Sequence, residues 1–194
     1  MSRNKAHCEG KEPILENVLS NLRYAKIVRH IPDKAKVLDL GCGYNAGFLS
    51  KIAGRNRECF GMDISVNKEL VLENVTLIEH DLNKKFPLES ESFDIVTSLA
   101  NLEHLENPNF ALSEIFRVLK PGGILLLTTP SVYAKPVLEF LSYKMRLISE
   151  NEIRDHKNYF CKTSLVKLGK EVGFSKIKHE YFQFFMNNSV KAMK

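Results

Sequence analysis

The feature that most constrains this chain is an extended run, Val37-Leu38-Asp39-Leu40, that passes directly into Gly41-Cys42-Gly43. Glycine has no Cβ and tolerates positive φ, so the backbone there can turn sharply and let a ligand come close. In an open parallel sheet such a strand–glycine–helix junction lies at the carboxyl edge, near the switch point where ligands bind. A single glycine turn of this kind is common in α/β proteins. The rest of the chain must show whether the sheet and the other ligand-facing groups are present.

The pattern on either side supplies them. Ile14 to Ile31 repeats apolar residues at three- and four-residue steps and stops at Pro32, which predicts a helix. Strand one spans Lys36 to Leu40, with a helix expected from Ala46 to Ala53. Glu58 to Asp63, Val75 to Glu79, Phe93 to Ser98 and Ile124 to Thr129 read as further strands. A short helix is expected over Ser65–Leu72 and an amphipathic one over Asn109–Leu119, the latter closed by Lys120-Pro121-Gly122-Gly123. Strands alternating with helices at this pace call for a mostly parallel sheet with right-handed crossovers and helices on both faces. Beyond Pro130 the expectations are a helix over Pro136–Ile148, a polar loop to Tyr159 and a helix over Thr163–Val172. A strand over Lys176–Phe185 and a last, antiparallel strand over Ser189–Met193 complete the pattern. The 194 residues suit a single Rossmann-like α/β domain, read as 1–35 helical lid, 36–130 core and 131–194 substrate side.

Composition narrows the class. At 44% hydrophobic and 26% charged the chain is an ordinary globular one. Its longest apolar run is strand-sized, so no membrane span is expected, and the polar start lacks an apolar signal core. A cytoplasmic protein is the resulting expectation, with Cys8, Cys42, Cys59 and Cys161 as reduced thiols too dispersed for a zinc site. No metal is expected. The net charge of +5 is unevenly spread: residues 1–36 hold 8 Lys/Arg against 4 Asp/Glu, 37–130 hold 8 against 13, and 131–194 hold 12 against 6. Basic ends can attract an anionic partner or simply keep the surface solvated.

Three acids end successive strands: Asp39, Asp63 and Asp81. Asp63 lies 20 residues past Gly43, where a carboxylate can accept from both hydroxyls of a ribose; it can equally cap a following helix. Asp81 can accept from an exocyclic adenine amine or serve as an ordinary turn acid. Together the three outline a nucleoside-shaped pocket. A nicotinamide dinucleotide fits poorly, because Gly41-Cys42-Gly43-Tyr44-Asn45-Ala46-Gly47 sets its third glycine one residue too far for G-x-G-x-x-G.

In order and spacing, residues 36–130 resemble the class I S-adenosylmethionine (SAM)-dependent methyltransferases, in particular the small-molecule group that includes the ubiquinone-biosynthesis enzymes. The resemblance rests on Val37–Gly43, Gly61-Met62-Asp63-Ile64-Ser65, His80-Asp81-Leu82, Phe93–Ser98, Leu102-Glu103-His104-Leu105 and Glu114–Gly123, the last ending in LKPGG before an apolar strand. It implies SAM as cofactor and S-adenosylhomocysteine as product. Gly41, Cys42 and Gly43 would lie under the methionine part with Asp39 close by. Asp63 with Ile64 would hold the ribose, Asp81 with Leu82 the adenine, and Ser98, Leu99 and Asn101 would line the sulfonium end. Asn45 stands where the family usually has a further glycine, which leaves the contacts of Tyr44 to Gly47 open.

Methyl transfer from a sulfonium needs the acceptor held in line, worth ~7–11 kcal/mol, and needs a base only if the acceptor must lose a proton. Histidine as a residue type suits proton abstraction near neutrality, so His104 is the candidate base and Glu103 the second catalytic candidate, although His104 can also merely shape the pocket. His156 and Tyr159 lie in the polar loop where substrate groups are often placed. The Asn/Asp-Pro-Pro-aromatic and Pro-Cys marks of nucleic-acid methyltransferases are missing: Ser98-Leu99-Ala100-Asn101 follows strand four. The expected acceptor is therefore an oxygen or nitrogen atom of a small molecule, with an anionic, sugar or lipid intermediate among the candidates, and the enzyme a monomer or homodimer. An RNA substrate and a catalytically silent SAM-binding regulator are the alternatives.

Overall fold

The computed structural model describes residues 14–55, 58–143 and 156–194. Helix α1 spans Ile14–Val28, and strand β1 spans Val37–Leu40. The short α2 is Leu49–Ile52, followed by β2 (Cys59–Asp63), β3 (Val75–Glu79) and β4 (Phe93–Leu99). Next come α3 (Pro108–Val118), β5 (Leu119–Pro130), α4 (Ala134–Tyr143), α5 (Lys162–Val172), β6 (Ser175–Phe182) and β7 (Asn187–Met193). The seven strands form one sheet in the order β3-β2-β1-β4-β5-β7-β6. β1 to β5 run parallel, and β7 inserts antiparallel between β5 and β6. This is the Rossmann-like sheet expected, including its antiparallel C-terminal strand.

Each face carries its own apolar layer. On one, Leu38, Leu40, Val96, Leu125 and Leu127 pack against Ile115 and Val118 of α3 and Leu165 of α5. On the other, Val37, Ile95 and Leu126 pack against Ile27 of α1 and Leu49 and Ile52 of α2. Strands covered on both sides must be apolar throughout, which is why β1 and β5 carry nearly continuous Leu, Ile and Val. Full burial of each such side chain stabilises by ~1.5–3 kcal/mol.

Several local expectations give way to tertiary contacts. Ser65–Leu72 forms no helix: Asn67 donates its N–H to the Tyr44 carbonyl while its side chain accepts from Glu69 N, so the segment is tied down as a turn. The helix expected from Ala46 shrinks to Leu49–Ile52, because Ala46 itself sits at φ +47, outside helical geometry. The LKPGG segment makes the expected tight turn, Gly123 lying against Lys120, but it does so inside the bounds of β5. It opens β5 at Leu119, paired with Phe93, and crosses a bulge with Gly122 at φ +78. β6 stops at Phe182, and Gln183, Phe184 and Phe185 form a left-handed tip. Cys8, residues 144–148 of the expected fourth long helix and the first part of the polar loop lie outside the described residues. Cys42, Cys59 and Cys161 are free thiols, the first two buried.

Candidate active site

All the candidate residues described here lie at the carboxyl edge of β1 to β5. The glycine turn comes first. Gly41 and Gly43 adopt φ +74 and +72, a region that costs other residues about 1–2 kcal/mol. A Cβ on Gly41 would lie 2.5 Å from Cγ of Asn101, whereas a Cβ on Gly43 would meet open space. The two glycines therefore do different jobs. Gly41 lets the loop after β4 close against β1, and Gly43 leaves bare backbone beside a void. The Cys42 side chain turns inward, packing under Gly61, so only its backbone faces the turn.

Asp63 joins this turn to β2. Its carboxylate accepts from Gly43 N at 2.9 Å and from Ser65 N at 3.4 Å, and no helix follows for it to cap. Ile64 beside it is 43% exposed, an uncovered apolar surface next to the acid. Asp39 is buried one strand away and accepts from Thr97 Oγ1 at 2.6 Å, across the β1–β4 register. Burial pushes its carboxyl up to about 7, the Thr97 hydroxyl opposes the rise, and the nearby Asp63 adds to it. Asp81 is different. Its carboxylate is engaged by Asn83 N at 3.0 Å and Asn83 Nδ2 at 3.1 Å, with Lys84 nearby, and the Asn83 backbone bond holds it below the ordinary range. Leu82 is buried in the core layer with Phe86.

The loop after β4 brings the second group. Ser98 and Asn101 are buried, and Leu99 is half-buried. Leu102–His104 is one 3₁₀ turn that places Glu103 inward. Glu103 is fully buried, and its carboxylate accepts from Thr129 Oγ1 at 3.0 Å. Burial raises its pKa, opposed first by His104, then by a bond to its own backbone N–H and then by the Thr129 bond. Residues far along the chain complete this side. Lys157 N and Asn158 N donate to the Glu103 carbonyl at 2.9 and 3.1 Å, and Asn158 Nδ2 donates to the Leu105 carbonyl at 3.0 Å. That strap sets His156 edge-on to His104 with ring centroids 4.8 Å apart, and His156 Nδ1 lies 3.1 Å from the Tyr159 hydroxyl. Asn188 of β7 clamps the strap by donating to the carbonyls of Thr129, Pro130 and Phe160.

Thr97, Thr129 and Asn188 were not anticipated. The one local signal was the change from apolar to polar at Thr128-Thr129-Pro130-Ser131, which marks where β5 leaves the core. No metal was expected, yet one donor atom each from Glu103, His104 and His156 lies within 4.8 Å of the others, a set able to hold a divalent cation.

Among known proteins, the methyltransferase domain family matches residues 15–179. A demethylmenaquinone methyltransferase of Staphylococcus haemolyticus is 29% identical over 178 residues, 79% of this chain and 74% of that one. A ubiquinone biosynthesis O-methyltransferase of Psychrobacter arcticus is 28% identical over 155 residues, 73% of this chain and 59% of that one. The chain thus spans about three quarters of the first relative and about three fifths of the second. Among solved structures, phosphoethanolamine N-methyltransferase 2 of Haemonchus contortus, in complex with SAM, superposes with a TM-score of 0.70 at 20% identity over 90% of this chain and 52% of that one. The methyltransferase solved with the Haloferax volcanii Trm112 activator gives 0.68 at 14% identity over 95% and 99%. At these identities the structures show the shared fold.

An open α/β sheet with an antiparallel β7 and a glycine turn tied to an acid on β2 defines the class I SAM-dependent methyltransferases. This chain belongs to the methyltransferase domain family and is a SAM-dependent methyltransferase. The site fits SAM: Asn101 Nδ2 is a buried donor with no partner among the described residues, next to Gly41 and the open space over Gly43. Among the described residues no helix is long and apolar enough to cross a membrane.

Proposed function

We propose that this chain moves a methyl group from SAM to an oxygen or nitrogen atom of a small aromatic molecule, releasing S-adenosylhomocysteine. The observation that carries this reading is the Glu103–His104–His156 cluster on the loop after β4, with the Tyr159 hydroxyl 3.1 Å from His156 Nδ1. Of the two relatives named above, one is by name a demethylmenaquinone methyltransferase and the other an O-methyltransferase of ubiquinone biosynthesis; the second favours an acceptor oxygen. When bound, SAM supplies an electrophilic methyl on a sulfonium centre. Asp63 and Ile64 hold the ribose, Asn101 and the Gly41–Gly43 backbone hold the methionine end, and Asp81 is left to the adenine only if its Asn83 bonds rearrange. Helix α1, with Tyr24 packed on Phe48 at 5.2 Å, closes the mouth as a lid.

For an acceptor hydroxyl, His104 takes the proton as the new O–methyl bond forms, and the buried Glu103 carboxylate stabilises the resulting imidazolium. A second reading uses the same donors: a divalent cation on Glu103, His104 and His156 lowers the acceptor's pKa instead. Transfer of radiolabelled methyl from SAM into a cell extract separates the possibilities. Label in the small-molecule fraction, unaffected by ribonuclease, is expected. Label in RNA, or SAM binding by calorimetry with no label anywhere, refutes the proposal. Loss of transfer on EDTA treatment, restored by added cation, selects the metal-assisted reading over the histidine base.

A further inference from the structure

The backbone of the β6–β7 tip is anchored to the rest of the fold, yet its two phenylalanine side chains are left largely uncovered. Gln183, Phe184 and Phe185 take φ +51, +55 and +65 in succession, a conformation for which glycine or asparagine is the economical choice. Phe184 is nonetheless 95% exposed and Phe185 64%. The tip is held firmly from behind. Ser131 donates through N to the Met186 carbonyl at 2.9 Å and through Oγ to the Phe185 carbonyl at 2.6 Å, and Gln183 Nε2 donates to the Leu19 carbonyl of α1 at 3.2 Å. Other exposed apolar residues cluster around it: Val132, Tyr133 and Val137 at the start of α4, and Val18 and Leu22 on α1. Tyr181 links them, its ring 5.9 Å from Tyr133 and 5.6 Å from Phe185.

We infer that this aromatic tip docks the enzyme on an anionic phospholipid surface, beside the mouth of the active site. Charge supports that occupant. Residues 131–194 hold 12 Lys/Arg against 6 Asp/Glu, and Glu180, the acid next to the tip, is paired with Lys26. Lys135 and Lys162 are exposed in the first turns of α4 and α5, and Lys162 N donates to the Tyr181 hydroxyl at 3.2 Å. Protruding phenylalanines flanked by tyrosines and lysines match the layering of an anionic interface: rings below the headgroups, hydroxyls at their level, ammonium groups against the phosphates. A second copy of the chain fits less well, since a stable dimer buries about 800 Å² per partner on a broad flat patch and a hairpin tip is narrow. The docking holds whether or not the acceptor itself is lipid-borne.

The chain contains no tryptophan, so Phe184→Trp installs a single fluorescent reporter at the tip. Its emission is expected to shift to the blue with vesicles of equal phosphatidylcholine and phosphatidylglycerol, less so with phosphatidylcholine alone, and to revert in high salt. Phe184→Glu with Phe185→Glu is expected to weaken co-sedimentation with the anionic vesicles at least tenfold while calorimetric SAM binding is retained, which shows that the variant folds. No shift with either vesicle overturns the inference. So does a shift without vesicles that grows with protein concentration, which would make the tip a self-association surface.

Discussion

The two halves of the active-site edge are built in different ways. On the β1–β2 side, the groups come from strand ends close in sequence: the Gly41–Gly43 turn, with Asp63 reaching across one crossover to Gly43 N. On the β4–β5 side, Glu103 meets Thr129, His156 and Asn158 across separations of up to 55 residues, and Asn188 clamps the result. The first half is mainly backbone geometry, so it tolerates little change. The second is mainly side chains on a strap, so it can be altered residue by residue and can vary in acceptor while the cofactor stays the same. A methyltransferase needs that division, because its methyl donor is constant and its acceptor is not.

Four measurements can break or sharpen this comparison. The largest effect is expected from Gly41→Ala, which meets Asn101 at 2.5 Å and must hold φ +74. It should destabilise the fold by about 2–5 kcal/mol and weaken SAM binding more than tenfold, read by thermal melting and calorimetry. A variant that melts and binds like the parent would show that the two halves are not locked together there.

Next is Asp63→Ala, which removes the acceptor for Gly43 N and the proposed ribose partner. SAM affinity should fall at least tenfold, or about 1.4 kcal/mol. Unchanged affinity would place the ribose elsewhere. Asn188→Ala strips donors from three buried carbonyls on the other half and should cost about 1–3 kcal/mol of stability. Amide exchange at residues 158–160 should rise while SAM affinity stays within about twofold. A matching loss of SAM affinity would mean that the halves act as one unit.

The fourth measurement concerns pH. Asp39 keeps its proton in the folded chain up to about pH 7, whereas an unfolded chain releases it near its ordinary 3.8. Folding therefore binds a proton in that window, so this group's contribution to stability declines as pH rises from about 4 to about 7. Asp39→Asn removes that decline and should melt higher than the parent near pH 8 without SAM, the two converging at lower pH. Parallel melting curves would show that Asp39 is not the group responsible.

The comparison also explains what could be read from the chain. The glycine turn, the acids at strand ends and the apolar strands are local patterns with a period of two or a fixed offset, and all are found where those patterns place them. Asp81 shows the limit. Its position at the end of β3 suggested a ligand acid, but Asn83 two residues on occupies its oxygens, a competition that spacing does not reveal. In place of the Ser65–Leu72 helix stands a local turn in which the Asn67 side chain takes the Glu69 N–H and the Asn67 carbonyl the Leu70 N–H. The pairing of Thr129 with Glu103 was out of reach, because a threonine at the end of a strand looks the same whether or not a buried acid faces it.

By itself, then, the sequence determined the sheet, its glycine turn and the chemistry of the methyl donor, because these depend on short-range backbone rules and on acids at fixed offsets. Only the tertiary structure decided which distant side chains meet and what surrounds them. Burial raises Glu103 beyond β4 and Asp39 on β1, the strap brings His156 to His104, and the β6–β7 tip leaves Phe184 and Phe185 standing in solvent. Each of these follows from which distant segments meet, and a linear pattern holds no record of that.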